Sequence, residues 1–232
     1  MAFNHGSNEL VNTGLVFCID GEDPTSYVSG STQLNDIGGG ATGTLDGVNF
    51  VSDRFSYDGT NDTINMGNTL HFSDIDPWTV CFWVYLDNTD NWQNFIGDRL
   101  SSGNYNGWNI YVSDNSDRCQ VYIKNAGGDE IRAHAGAGMP ATTWIHKCVT
   151  YDGSTDASGV GFYHNGAADT STAVADNLSN WSGNTGNLYI GTRGGDADYF
   201  GGDHGPIVAY NRVLSASEIL QNFNAHRHRF GL

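Results

Sequence analysis

The chain is expected to be an all-β protein built as two antiparallel sheets packed face to face, and three observations carry that expectation. Thirty-one glycines stand against four prolines in 232 residues, a composition of short strands joined by tight turns. Alternating apolar runs recur at spacings of roughly ten residues, the rhythm of a sandwich. The run from Trp78 to Leu86 puts Trp78, Val80, Phe82, Val84 and Leu86 on one side of a ribbon and Thr79, Cys81, Trp83 and Tyr85 on the other. A strand apolar on both faces belongs in the middle of a layered structure.

The elements follow in order. Leu15 to Asp20 reads as the first strand, closed by Gly21 and the turn at Asp23-Pro24. From Ser29 to Gly47 the chain is rich in Gly, Ser and Thr, so a loop is expected there with at most a short strand near Thr44-Leu45. Arg54 to Tyr57 and Thr63 to Met66 flank Asp58-Gly59 and read as a hairpin. Strands then follow at Trp78 to Leu86, Asn94 to Arg99, Trp108 to Val112, Cys119 to Lys124 and Glu130 to His134. Trp144 to Tyr151 alternates in the same way, stops at Asp152-Gly153, and is the expected partner of Trp78 to Leu86. Gly159 to His164, Asp169 to Ala175, Asn187 to Gly191 and Pro206 to Tyr210 complete about a dozen strands. One helix is signalled: Ser215 as N-cap and Glu218 at the third position form a capping box, with Leu214 and Ile219 as its staple. Ile219, Leu220 and Phe223 form its expected docking face, and its end is expected near Asn224. The organisation is an N-terminal arm (1–14), one sandwich domain (15–224) and a basic tail (225–232).

Twenty-six acids against ten Lys and Arg give a net charge of −16. No basic stripe exists to displace the counterions of a nucleic acid, so that function class is excluded. Four cysteines lack the spacing of a zinc site. They are expected to be buried free thiols, with a Cys81–Cys148 bridge the first disulfide to test. Neither a signal peptide nor a membrane span is read from the sequence.

The ordered series YDGTNDTINMG, PWTVCFWVYL, WIHKCVTYDG, FYHNGAADTST, LYIGTR and AYNRVLSASEI resembles the laminin-G-like branch of the concanavalin A-like lectin/glucanase superfamily. The resemblance spans Leu15 to Phe223 and implies a jelly roll of two curved antiparallel sheets. Relatives carry an acidic pair before the closing strand, where this chain has Gly205-Pro206. The opening GLVFCIDGEDPTSY and the ending SEILQNFNAHRHRFGL also resemble domains in structural proteins of tailed phages.

Fold alone does not give function, so the chemistry is weighed residue by residue. Glycosidases of this fold pair carboxylates on one strand. Here the glutamates are Glu9, Glu22, Glu130 and Glu218, none with an Asp two residues on, so no enzymatic activity is expected. Arg132 and His134 could be drawn as a lyase pair and read better as residues on a sheet face. Calcium wants oxygens on a turn, which Asp196, Asp198 and Asp203 offer, as do Asp58, Asn61 and Asp62; Asx turns account for the same residues. A sugar site needs an exposed aromatic beside hydrogen-bonding groups. Trp92, Tyr105, Trp108, Trp181 and Tyr199, with Asn106 and the neighbouring Asn91, Asn104, Asn180 and Asn184, supply both. The segment His226, Arg227, His228, Arg229 and Phe230 reads either as a frayed end or as a peptide docking on an acidic neighbour.

The expectation from these readings is a noncatalytic virion component of a tailed phage, either a capsid decoration or a fibre protein, made in the host cytoplasm. Its expected partners are capsid or tail proteins, host glycans and further copies of itself. The alternative is a secreted or surface lectin, and a glycosidase or lyase is the third reading.

Overall fold

Burial of both faces of the Trp78–Leu86 strand sets the architecture, in which eight of its nine residues are buried. The computed structural model describes residues 4–5, 8–113, 117–179, 183 and 186–232. In it two antiparallel sheets of eight and nine strands lie face to face. The eight-stranded sheet runs Ala167–Asp169, Val160–His164, Trp144–Tyr151, Trp78–Leu86, Gly201–Tyr210, Arg54–Asp58 and Asn49–Val51, with Leu15–Ile19 beside the second half of Gly201–Tyr210. The nine-stranded sheet runs Ser171–Asp176, Glu130–Gly138, Arg118–Lys124, Gly107–Val112, Gln93–Gly97, Tyr189–Ile190, Thr63–Asn65, Thr42–Asp46 and Gln33–Asn35.

The period-two pattern explains where each side chain goes. Trp78, Val80, Phe82, Val84 and Leu86 enter the core between the sheets with Trp108, Ile110, Val112 and Ile123. On the other face Cys81 joins a second apolar cluster with Cys18, Cys148, Val208, Leu214 and Ile219. This outer cluster is roofed by the helix Ala216–His226. Trp144–Tyr151 lies antiparallel to Trp78–Leu86 along its whole length, with Cys148 opposite Cys81.

The helix begins as expected: Ser215 Oγ accepts from the Glu218 backbone N–H, and the Glu218 carboxylate accepts from the Ser215 N–H, closing the capping box. Arg212 clamps Glu218 through two bonds of 3.0 and 2.6 Å and holds its carboxyl down at about 2. Ile219 and Phe223 are buried, whereas Leu220 is 45% exposed. The docking face is completed instead by Asn222, Ala225 and His226.

Several expectations are corrected. The stretch 29–47 contains two strands, Gln33–Asn35 and Thr42–Asp46, paired with each other. Asp58-Gly59 does not close a hairpin: Arg54–Asp58 pairs within the eight-stranded sheet and Thr63–Asn65 within the other. The turn residues reverse the chain through an Asx turn, Asp58 Oδ1 accepting from Thr60 N–H, but burial chooses the partner strand. The cysteines are not all free, because Cys81 and Cys148 form a disulfide; Cys18 and Cys119 remain as buried thiols.

The terminal segment is neither frayed nor free. The helix continues to His226, and a 3-10 turn spans Arg227–Phe230. Phe230 stacks on Trp83, with ring centroids 4.3 Å apart, and leans on Trp144 at 4.4 Å. Arg229 holds Asp20 with two bonds of 2.8 and 2.9 Å and reaches Glu22 at 2.9 Å. Gly205 makes this possible, since a Cβ there would stand 2.6 Å from the Phe230 ring. Gly205 is thus the floor beneath an aromatic anchor. The N-terminal arm packs too: Val11 N–H donates to Asn222 Oδ1 at 3.0 Å, and Tyr210 Oη–H donates to the Val11 carbonyl at 3.0 Å.

Candidate functional site

Four connections meet at one end of the sandwich, namely residues 58–62, 87–92, 98–106 and 191–200. Their convergence follows from strand order, since Gln93–Gly97 and Tyr189–Ile190 are neighbours in one sheet and Arg54–Asp58 and Gly201–Tyr210 are neighbours in the other. Buried amides brace them. Asn94 Nδ2 donates to the Thr192 carbonyl at 2.7 Å, and Asn109 Nδ2 donates to Asn94 Oδ1 at 2.8 Å. Gln93 bridges two loops, its Nε2 donating to the Asn88 carbonyl at 2.8 Å and its Oε1 accepting from Gly201 N–H at 3.0 Å.

The loops enclose two adjoining clefts. One, of about 480 Å³, is lined by Asp58, Asp87, Asn91, Trp92, Asp198 and Tyr199 among others. The second, of about 430 Å³, is lined by Trp92, Arg99, Tyr105, Arg193 and Asp198. Trp92 and Asp198 stand on the wall they share. Trp92 is 38% exposed and Tyr105 41% exposed. Trp92 lies flat on Tyr111, centroids 5.1 Å apart and planes 9° from parallel, which fixes its orientation before anything binds.

The two arginines are held differently. Arg193 Nε donates to Asp198 Oδ2 at 2.6 Å and its Nη1 donates to the Leu100 carbonyl at 3.1 Å. Arg99 Nε donates to the Tyr105 carbonyl at 3.1 Å, and its guanidinium lies 4.0 Å over the Tyr122 ring. Burial, with the nearby Arg193 charge, presses Arg99 down to about 10, so it is still cationic at neutral pH. Tyr105 and Asp198 both adopt left-handed backbone, φ 55° and 51°. Such conformations cost free energy in non-glycine residues and gather where a loop is shaped for a task.

The expected site residues separate accordingly. Trp92, Tyr105 and Tyr199 come together at the clefts, with Asn106 half-buried in the same loop as Tyr105. Trp108 does not: it is fully buried against Phe72 and Trp78, so its assignment to a sugar site is corrected. Trp181 lies outside the described residues, as do Asn180 and Asn184. The structure does not bring the calcium trio together as a cluster of converging ligand atoms. Asp198 is bonded to Arg193, Asp203 to Arg54 at 2.8 Å, and Asp196 is exposed. Among the described residues, the group of three side chains whose ligand atoms converge is Cys81, His146 and Cys148, two of which are bonded to each other. Asp58 and Asp62 serve the turn between them, Asp62 Oδ2 accepting from the Asp58 N–H and Asp58 Oδ1 from the Thr60 N–H.

The sequence reading missed Arg99, Arg193 and Tyr111. The signal for Tyr111 was present, since alternation from Trp108 sends it to the face opposite the core.

Fold and site together define a lectin-like sandwich with a preformed aromatic cleft at one end. Residues 58–220 match the family described as concanavalin A-like lectin/glucanases superfamily, of laminin G type, and the chain belongs to it. Comparison with curated protein sequences gave no match. Among solved structures, the binding domain of Paraclostridial Mosquitocidal Protein 1 superposes with a TM-score of 0.70 at 18% identity, over 93% of this chain and 53% of that one. Trypanosoma rangeli sialidase gives 0.67 at 14% identity, over 95% of this chain and 34% of the other. The Botulinum neurotoxin serotype D ligand binding domain, solved with N-acetylneuraminic acid, gives 0.67 at 14% identity, over 92% and 51%. The chain thus spans about a third to a half of these proteins, and the likeness is one of fold.

Proposed function

We propose that the protein is a noncatalytic carbohydrate-binding module that holds a saccharide at the Trp92–Tyr105–Tyr199 rim. The observation that carries this reading is the exposed indole of Trp92, braced on Tyr111 at the mouth of a cleft walled by Asp, Asn and Tyr side chains. A rigid aromatic plane takes the apolar face of a sugar, and the surrounding carboxylates and amides take its hydroxyls. That one structural neighbour is a sialidase and another was solved with N-acetylneuraminic acid is compatible with this reading.

The noncatalytic reading draws support from four carboxylates that already have structural partners. Glu218 caps a helix, Glu22 pairs with Arg229, Glu130 accepts from Tyr122 Oη–H, and Asp198 is tied to Arg193. The finer reading places many copies on a phage particle, where weak affinity is multiplied by valency; its support is the likeness of the two chain ends to phage structural domains. Mass spectrometry of purified particles tests it, and particles lacking the chain remove it. The disulfide takes away one support for a reducing compartment, since buried thiols no longer account for Cys81 and Cys148.

Binding to a glycan array tests the main reading. Trp92→Ala and Tyr105→Ala are expected to abolish signal while lowering the unfolding free energy by no more than about 1 kcal/mol, since both rings are partly exposed. Binding unchanged in both variants overturns it.

A further inference from the structure

We infer that the Arg99 half of the cleft reads a carboxylate, so that the favoured ligand is a saccharide ending in a monocarboxylated sugar. The inference rests on the carbohydrate reading and goes beyond it by naming the class of sugar.

The argument starts from charge. The protein carries a net −16 with ten Lys and Arg, yet two of those ten side chains line one small cleft. Arg193 is neutralised by Asp198. Arg99 is not: among the described residues no carboxylate lies within ion-pair distance of it, and its protein partners are the Tyr105 carbonyl and the Tyr122 ring. Three other partly buried arginines do have acids, Arg54 with Asp203, Arg229 with Asp20 and Arg212 with Glu218. A half-buried guanidinium without a counter-charge is costly to keep. Nε is committed to Tyr105, which leaves the two terminal nitrogens as a fork matched to a carboxylate.

The geometry also limits the ligand. The Arg99 carbon stands 5.9 Å from the Tyr105 ring centre and the Arg193 carbon 5.7 Å from it, so cation and exposed aromatic are presented together. Beyond Trp92, the adjoining cleft is walled by Asp58, Asp87 and Asp198. Of these, Asp58 and Asp87 accept from sugar hydroxyls and repel further anions. A single acid group at the Arg99 end with neutral sugar extending over Trp92 fits both halves, whereas a densely sulfated chain does not.

Calorimetry on the intact chain tests this with 3′-sialyllactose, its methyl ester, a trisaccharide ending in glucuronic acid, lactose and heparin. The expected result is that one or both acids bind about tenfold or more tighter than ester and lactose, the scale of a charge-assisted bidentate contact, and that Arg99→Gln erases the difference between acid and ester. Which acid prevails distinguishes a nonulosonic from a uronic source. Ester binding as tight as acid on the unmodified protein overturns the inference without any variant having to fold, as does heparin as the tightest ligand. Binding of lactose without preference for acid sinks this inference alone; no binding of any saccharide sinks the carbohydrate reading with it.

Discussion

Replacing Cys81 and Cys148 together by alanine tests the structure where it departs most from expectation. The bridge joins residues 67 apart in sequence. Opening a loop of that length returns about 15 cal/mol/K to the unfolded ensemble, or about 4 kcal/mol at 25 °C. Both sulfurs are buried in the cluster beneath the helix, so each truncation adds a small void, against which local relaxation works. The net expectation is a loss of about 3–5 kcal/mol, a large part of the stability of a domain this size. Urea unfolding followed by tryptophan fluorescence should show a lower midpoint and a slightly larger slope, because the unbridged chain exposes more surface when unfolded. Thiol titration supplies an independent reading. Cys18 and Cys119 are buried, and burial pushes the Cys119 thiol up to about 12 and Cys18 higher still. The native protein should therefore titrate none, the denatured unreduced protein two, and the reduced denatured protein four. Four thiols without reductant, or a double variant within about 0.5 kcal/mol of the parent, would refute the reasoning.

Two further outcomes follow from packing and charge. Phe230→Ala removes a half-buried ring held between Trp83 and Trp144 and should cost about 2–3 kcal/mol; deleting residues 227–232 should cost more, since Arg229 leaves Asp20 as well, and an unchanged melting temperature would show that the segment is not anchored. Stability should also fall on acidification. His146 and His204 are fully buried, and desolvation lowers both from 6.5 to about 3; the unfolded chain takes up their protons first, so between pH 6.5 and about 3 each removes up to about 1.4 kcal/mol per pH unit. His204→Phe, placed among Tyr57, Phe82, Phe95 and Phe200, should flatten the urea midpoint between pH 7 and pH 5, and a dependence as steep as the parent's would discount that residue.

Much of the fold was legible because alternation is a local consequence of the pleat. The doubly apolar Trp78–Leu86 strand, its Trp144–Tyr151 partner and the Ser215–Glu218 box are each fixed by residues close in sequence. Partner choice across the sandwich was not. Asp58-Gly59 signals a reversal correctly, yet the strands on either side enter different sheets because Tyr57 and Ile64 reach the common core from opposite walls. The tail misled for a related reason: two arginines and two histidines in HRHRF read as solvated, while Asp20 and Trp83, which hold Arg229 and Phe230, lie more than a hundred residues upstream.

The site divides along the same line. That aromatic and amide side chains would crowd certain loops could be read from the chain, and three of the aromatics do share one rim. Which of them face outward could have been decided by parity for Trp108, whose side is that of Ile110 and Val112, because a strand already begins at Gly107. No parity rule reaches Arg99. Its role depends on Tyr122 taking one face of the guanidinium and Tyr105 one nitrogen, and on Asp198 being spent on Arg193. The last condition is decisive, for if Asp198 turned from Arg193 to Arg99 the cleft would hold one internal pair and its free positive end would move to Arg193. A cation that selects a ligand is one its own protein has left without a counter-ion, and that is a property of three loops at once.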